Sequence, residues 1–286
     1  MKFPWDKYEE LPTERRNTLQ IFITNRCNLR CNGCFARNVM GNDNLDISIE
    51  EYSETVKEFM VKWGYQINLL GGEPLLHPLL KQILDINRGN FIKTTIYTNG
   101  KAFNNYLPED FNRIKLRVSI YSYDKGDKCC IALPQSGFKF DANFMVSAET
   151  RLRDLLKSAK MCEEVFGCNV FFISSIRELD NDRKEFFDDT KITMPVLEYK
   201  ELVHKFLQAY DGNMDIHVSK RGVFESTVSL ARNRCGFANY FIGGKIIQCP
   251  YDVVNEKYQQ DYTFCDRQCQ QNNTCLMSKI ILIRRK

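Results

Sequence analysis

Three thiols stand within eight residues of one another in Cys27-Asn-Leu-Arg-Cys31-Asn-Gly-Cys34, a C-x3-C-x2-C spacing. Thiolates this close can hold three corners of a cubane iron–sulfur cluster, [4Fe–4S], and leave the fourth iron without a protein ligand. An open coordination position marks a catalytic metal centre rather than a structural one. The same three thiols with one distant ligand could instead hold zinc, and the spacing alone leaves both readings open. A second group follows late in the chain: Cys235, Cys249, Cys265, Cys269 and Cys275, the last three at C-x3-C-x5-C spacing. Five thiols suffice for one further four-iron cluster, with a structural zinc knuckle as the alternative. Either way, this region is expected to fold only with its metal.

The remaining four of the twelve cysteines are Cys129, Cys130, Cys162 and Cys168. Adjacent Cys129 and Cys130 ligate one ion poorly, and Cys162 and Cys168 read as buried apolar residues. The first residues are charged and lack an apolar run, so no secretory signal is expected and the chain is expected to be cytoplasmic. In that compartment twelve cysteines point to metal ligation rather than to a disulfide framework. No run approaches 18 apolar residues, so no membrane span is expected. The 40 basic and 36 acidic residues give +4, too mild and too evenly mixed to favour nucleic acid as the partner.

The elements that must position these residues alternate between strand and helix. The run Leu19 to Thr24 reads as a strand ending just before the first cysteines. Ser48 to Trp63 reads as a helix opened by a Ser48/Glu51 capping box and closed at Gly64, with Tyr52, Val56, Phe59 and Met60 at helical spacing. Strands follow at Gln66 to Leu70, Phe91 to Tyr97 and Lys115 to Tyr121, with a short helix at Leu79 to Ile86. After an irregular stretch from Ser122 to about Ser147 come a helix at Glu149 to Phe166, a strand at Cys168 to Ile173, a helix at Pro195 to Tyr210 and a strand at Met214 to Val218. Repeated βα units imply a parallel sheet with helical crossovers. Six units in about 220 residues suit an α/β partial (β/α)6 barrel of the TIM type rather than a complete eightfold one. The expected division is 1–220 for the barrel and 221–286 for a small cysteine-rich extension, in which Tyr240 and Lys245 flank Gly243-Gly244 as a β-hairpin.

The first cysteine group, read with its neighbours, resembles the signature of radical S-adenosylmethionine (SAM) enzymes. Phe35 matches the aromatic residue that follows the third cysteine in that family. Gly71-Gly72-Glu73-Pro74, after the second strand, matches its GGEP motif, and Thr98-Asn99-Gly100, after the third, its Thr-Asn-Gly. Ser119 falls where the fourth strand often carries a polar SAM contact. The motifs occur in order at strand ends, and the resemblance covers about residues 17 to 220. It implies that Cys27, Cys31 and Cys34 hold a [4Fe–4S] cluster, that its open iron chelates SAM, and that Phe35, Gly71, Gly72, Glu73, Pro74, Asn99 and Ser119 bind SAM. Reductive cleavage of SAM would then yield a 5′-deoxyadenosyl radical that abstracts hydrogen from an unactivated C–H.

The late cysteines look like the auxiliary-cluster extension called SPASM, or its shorter twitch form. The pattern departs from the full form, which has seven cysteines and a tighter C-x2-C step. One auxiliary [4Fe–4S] cluster is therefore expected, aiding electron transfer or substrate binding, with a reducing donor such as flavodoxin or ferredoxin.

The substrate is the open point. Only 26 residues precede Cys27, fewer than a leader-recognition domain needs, which favours a small-molecule or carbohydrate-derived substrate over a ribosomally made peptide or a protein side chain. Tyr121, Asp124 and His217 are the candidate substrate-side residues; the 122–147 stretch is long enough to act as a binding loop. His77, after GGEP, reads as a structural hydrogen-bonding residue. An activase making a glycyl radical on a partner protein would not need the late cysteines. A zinc-stabilised, non-enzymatic binding module would leave Gly71 to Pro74 without a role.

Overall fold

The computed structural model describes residues 18–31, 34, 45–62, 64–121, 137–176, 178–180, 185–187, 192–219, 237–247 and 280–283. Asp124, Phe35, Cys129, Cys130, Cys235, Cys249, Cys265, Cys269 and Cys275 lie outside them.

The described chain is built on one ten-stranded sheet. Its strands are β1 (Thr18–Thr24), β2 (Gln66–Gly71), β3 (Lys93–Thr98), β4 (Ile114–Ile120), β5 (Asp141–Val146), β6 (Val170–Ser175), β9 (Asp215–Ser219), β10 (Phe237–Phe241), β11 (Lys245–Ile247) and β12 (Ile280–Ile283). A separate two-stranded ribbon pairs β7 (Glu178–Asp180) with β8 (Glu185–Phe187). The order in the large sheet is β11-β10-β1-β2-β3-β4-β5-β6-β9-β12. Every contact from β10 through β1 to β9 is parallel, and only the outermost strands β11 and β12 run antiparallel. Helices α1 (Ile49–Lys62), α2 (Leu80–Gly89), α3 (Leu152–Glu164) and α4 (Val196–Ala209) supply crossovers. This is the parallel α/β architecture of a partial TIM-type barrel.

The strand side chains divide by parity, as the period-2 pleat requires. One set, which includes Leu19, Ile21 and Ile23 on β1, Ile67 and Leu69 on β2, Val118 and Ile120 on β4 and Ile216 and Val218 on β9, packs in a single apolar core with Tyr52, Val56 and Phe59 of α1, Ile83 and Leu84 of α2, Leu155 and Ala159 of α3 and Phe206 of α4. The helices therefore cover one face. Phe22, Phe172 and Phe241 are buried too but fall outside that core, on the opposite, inner face, where Phe22 and Phe241 stack at 4.3 Å. A buried polar relay crosses the helix layer: Tyr52 OH donates to Asn87 Oδ1 (2.7 Å), and Asn87 Nδ2 donates to Thr94 Oγ1 (3.0 Å). Cys162 and Cys168, which flank the end of α3, are buried in the core as expected.

Two local expectations change. The stretch expected to be irregular up to residue 147 contains β5, which brings the large sheet to seven strands before residue 220 instead of the expected six. Its Ala142, Phe144 and Val146 are fully buried and alternate with half-buried Asp141, Asn143 and Met145. The run is short and carries Asp and Asn, residues that disfavour strands locally, so pairing with β4 and β6 decides its form. The capping box is half realised: Ser48 Oγ accepts from Glu51 N (3.0 Å), but Glu51 Oε1 turns to Tyr240 OH and Gly243 N, each at 2.7 Å. A carboxylate read as a local cap thus docks the β10–β11 hairpin onto α1. That hairpin forms as expected, with β10 antiparallel to β11.

Phe144→Ala would open a cavity in the middle of the sheet–helix core. A loss of about 3–5 kcal/mol is expected by chemical denaturation, whereas a merely peripheral β5 would tolerate the change.

Candidate active site

Thr24, the last residue of β1, begins the site. Its hydroxyl donates to Asp46 Oδ1 (2.6 Å) and accepts from Arg26 N (3.1 Å). Arg26 closes on the same carboxylate, with Nε 2.8 Å and Nη2 2.8 Å from Asp46 Oδ2. Asn25 N donates to Leu45 O (3.0 Å) while Asn25 Oδ1 accepts from Leu45 N (2.6 Å). The segment entering the cysteine loop is thereby clamped to residues 45–47. His77 backs that clamp: Nε2 lies 3.0 Å from Ile47 O, and Nδ1 accepts from Leu79 N (3.1 Å). These bonds require the neutral Nε2–H tautomer, and burial lowers the imidazole's pKa accordingly. This is the structural role expected of His77.

The GGEP segment comes against the same loop from β2. Gly72 N donates to Thr24 O (2.8 Å) and Glu73 N to Arg26 O (2.7 Å). A Cβ on Gly71 would overlap the Thr24 carbonyl oxygen, and one on Gly72 would overlap that of Arg26. Both glycines are thus demanded by the close approach of two backbones. Glu73 is 1% exposed, and its carboxylate faces the protein. Oε1 accepts from Leu75 N (3.0 Å) and Thr98 Oγ1 (2.6 Å), and Oε2 from Asn99 N (2.7 Å). Burial raises its pKa, opposed by these three donors. Pro74 opens a short 3₁₀ turn, Pro74–Leu76, that Glu73 caps. Asn99 completes the junction: its Nδ2 donates to Asn28 Oδ1 inside the cysteine loop (2.8 Å), and its Oδ1 accepts from Lys101 N (2.9 Å).

Cys27 is exposed, Cys31 and Cys34 are half-buried, and none of the three is in a disulfide. Cys27 Sγ accepts from Leu29 N (3.4 Å). Desolvation raises the Cys27 pKa, and the charges of Glu73, Cys34 and Cys31 push in the same direction. The three thiols therefore share one electrostatic neighbourhood beside Glu73. Among the described residues, no three Cys, His, Asp or Glu side chains are gathered at metal-binding distance. The donor set nonetheless fits an iron–sulfur cluster: three soft thiols on one loop, whose mutual repulsion a cationic iron centre would relieve.

On the inner face, Ser119, Asn143, Phe172 and His217 stand in register on β4, β5, β6 and β9. Ser119 is half-buried, as is Tyr121 just beyond the end of β4. His217 packs against the Phe172 ring at 4.6 Å, and burial, with the Arg117 charge second, lowers its pKa to about 4. Sequence reasoning missed Arg117, which looks like any basic residue of an alternating strand. It also missed Asp46 and Asn28, whose partners are distant in sequence and leave no local trace.

Gly72→Ala is expected to cost more than about 1 kcal/mol, because the obstacle is backbone that cannot rotate away. Gly89→Ala, where a Cβ meets nothing, would be neutral or slightly stabilising in the same thermal melt. His217 supplies a pH signature. Between its ordinary 6.5 and about 4, the unfolded chain takes up a proton that the native site refuses. Stability therefore falls as pH drops through that window. His217→Gln should flatten that part of the unfolding free energy–pH curve, and an unchanged slope would contradict the buried, neutral imidazole.

The geometry accords with comparison to known proteins. Residues 21–121 match the Radical SAM superfamily model. An S-adenosylmethionine-dependent nucleotide dehydratase of Thermoplasmatales archaeon (strain ISO4-H5) is 29% identical over 136 residues, 45% of this chain and 46% of that protein. A GTP 3′,8-cyclase of Synechocystis sp. is 27% identical over 170 residues, 52% of each chain. The chain spans about half or less of the length of these curated relatives. Among solved structures, Streptococcus suis SuiB bound to the precursor peptide SuiA has a TM-score of 0.66 at 16% identity, covering 85% of this chain and 62% of SuiB. An anSMEcpe complex with AdoMet and a peptide has a TM-score of 0.58 at 17% identity, covering 86% and 78%. The fold is shared with these two structures, and the stretch that matches the superfamily model runs from within β1 to just past the end of β4.

Proposed function

We propose that this chain is a radical SAM enzyme that abstracts hydrogen from an unactivated C–H of a small-molecule substrate held against the inner face of the sheet. The observation that carries the reading is the convergence of three distant segments at one end of the sheet. The cysteine loop is bonded to the GGEP turn through Thr24 and Arg26, and to the Thr-Asn-Gly turn through Asn28 and Asn99.

In this reading Cys27, Cys31 and Cys34 hold a [4Fe–4S] cluster, and Gly71 to Pro74, Asn99, Ser119 and Phe35 border SAM. When bound, cluster and SAM supply a one-electron cleavage that delivers a 5′-deoxyadenosyl radical. The chain's own residues bind and orient. Glu73, its buried carboxylate bonded to Leu75, Thr98 and Asn99, braces the GGEP turn beside which a ligand ammonium would sit. Asn99 fixes the loop, and the aromatic residues of the inner face keep water from the reacting carbon. Tyr121, Asp124 and His217 stay as substrate-side candidates. A low-potential donor such as flavodoxin or ferredoxin would reduce the cluster. One auxiliary [4Fe–4S] cluster on four of Cys235, Cys249, Cys265, Cys269 and Cys275 is supported by their number and spacing.

A second reading, modification of a peptide or protein side chain, is favoured by the fold likeness to SuiB and anSMEcpe, both seen with peptides. Among the described residues no helix is long and apolar enough to cross a membrane.

The test is anaerobic iron and sulfide quantitation on reconstituted protein, with SAM cleavage assayed beside a Cys27/Cys31/Cys34→Ala variant. About eight irons per wild-type chain, about four in the variant, and 5′-deoxyadenosine only from wild type are expected for two four-iron clusters. Zinc without iron, or no SAM cleavage under strong reduction, would overturn the reading.

A further inference from the structure

Arg117 projects from β4 onto the inner face, and its guanidinium is held by rings rather than by a counter-ion. Its centre lies 3.7 Å from the Phe172 ring centroid and 5.0 Å from that of Tyr97. Nη1 donates to Tyr97 OH (2.9 Å), while the buried Nε–H has no acceptor. Among the described residues no carboxylate stands within ion-pair distance of it. The contrast lies two residues earlier on the same strand. Lys115 Nζ sits 2.7 Å from Asp141 Oδ2, an ion pair by distance though not in hydrogen-bonding direction. Asp141 is the register neighbour of Arg117, yet its carboxylate goes to Lys115. On β4 the inner face thus carries one paired cation, Lys115, and one without an anion, Arg117.

A half-buried guanidinium without an anion is unfavourable, because its donors have left water and are not repaid. Stacking on two aromatic faces offsets part of that loss and fixes the plane of the donor fork. A fixed fork with unused donors matches the geometry of a carboxylate or phosphate. His217, across Phe172, adds a neutral imidazole whose ring nitrogens can each make one hydrogen bond. The rung of Ser119, Asn143, Phe172 and His217 lies two residues nearer the cysteine end than Arg117, about 7 Å along the strand. An anion at Arg117 would therefore sit deeper than the Ser119 level.

We infer that Arg117, fixed by Tyr97 and Phe172 and flanked by His217, is a subsite for the anionic group of the substrate, a carboxylate or a phosphate. The substrate's charged end is then anchored at the far side of the inner face, with its reacting carbon towards the cysteine loop. This deepens the proposed function and rests on it for the reaction, but not for the binding.

The test uses inorganic phosphate and acetate as probes in isothermal titration calorimetry on the reconstituted full chain, with and without saturating SAM. At least one probe should bind wild type with the same affinity whether or not SAM is present. Arg117→Gln should weaken that probe about tenfold or more, and Arg117→Lys, which keeps the charge but not the fork, by less. Phosphate preferred over acetate identifies a phosphorylated substrate, and the reverse a carboxylic acid. Failure of both probes to bind wild type, or equal binding to Arg117→Gln, would overturn the inference. Competition between probe and SAM would also overturn it, by assigning Arg117 to the SAM carboxylate. A circular dichroism melt of each variant separates lost binding from lost fold. The same titration on the Cys27/Cys31/Cys34→Ala variant separates the two proposals: probe binding that survives there stands even if the iron–sulfur reading fails.

Discussion

Gly72 N–H reaches Thr24 O and Glu73 N–H reaches Arg26 O only because neither glycine of the GGEP turn has a Cβ. Everything at this end of the sheet hangs on that contact. It sets the height of the cysteine loop against β2 and turns the Glu73 carboxylate inwards, where Thr98 and Asn99 meet it from β3. Asn99 then reaches back to Asn28 and closes the circuit. The short segment that carries the three thiols is not positioned by its own residues alone; two other strand ends hold it in register. From outside, Asp46 grips Thr24 and Arg26 and limits how far the loop can swing.

The second organising fact is the division of the sheet into two faces. Apart from the Tyr52–Asn87–Thr94 relay, the helix-facing layer is mainly aliphatic and aromatic, and its burial supplies most of the stability. The inner face mixes rings with polar and charged groups, among them Tyr97, Arg117, Asn143, Phe172 and His217. Because the pleat alternates strictly, the same strand can serve both purposes without compromise. The candidate-site residues on this face are therefore ones the core does not need. Arg117 or His217 could change without emptying the helix-facing core.

Much of this was legible in the sequence where the signal is local. The strands before the cysteine loop, GGEP and Thr98-Asn99-Gly100 announce themselves by apolar runs ended by turn residues, and the structure places them with shifts of one or two residues. What was not legible depends on partners far along the chain. β5 carries Asp141 and Asn143 and becomes a strand because β4 and β6 accept it on both sides. Glu51 satisfies the spacing of a local cap but is claimed by Tyr240, nearly two hundred residues away. Arg117 is an ordinary strand arginine until the rings of Tyr97 and Phe172 are placed around it.

The position of β10 bears on how the chain comes to be made. All seven residues of β1 are buried, and the run Thr-Leu-Gln-Ile-Phe-Ile-Thr has no charge and no proline. A bare edge of that composition is the kind that self-associates into cross-β aggregates. One side of β1 is covered early, by β2. The other waits for β10, where Thr18 pairs with Phe237, 219 residues later. During synthesis on the ribosome β1 therefore spends most of the translation time with an open edge. A form of the chain lacking β10 would leave that edge of β1 uncovered, so β10, and neither β11 nor β12, is the strand that shields it.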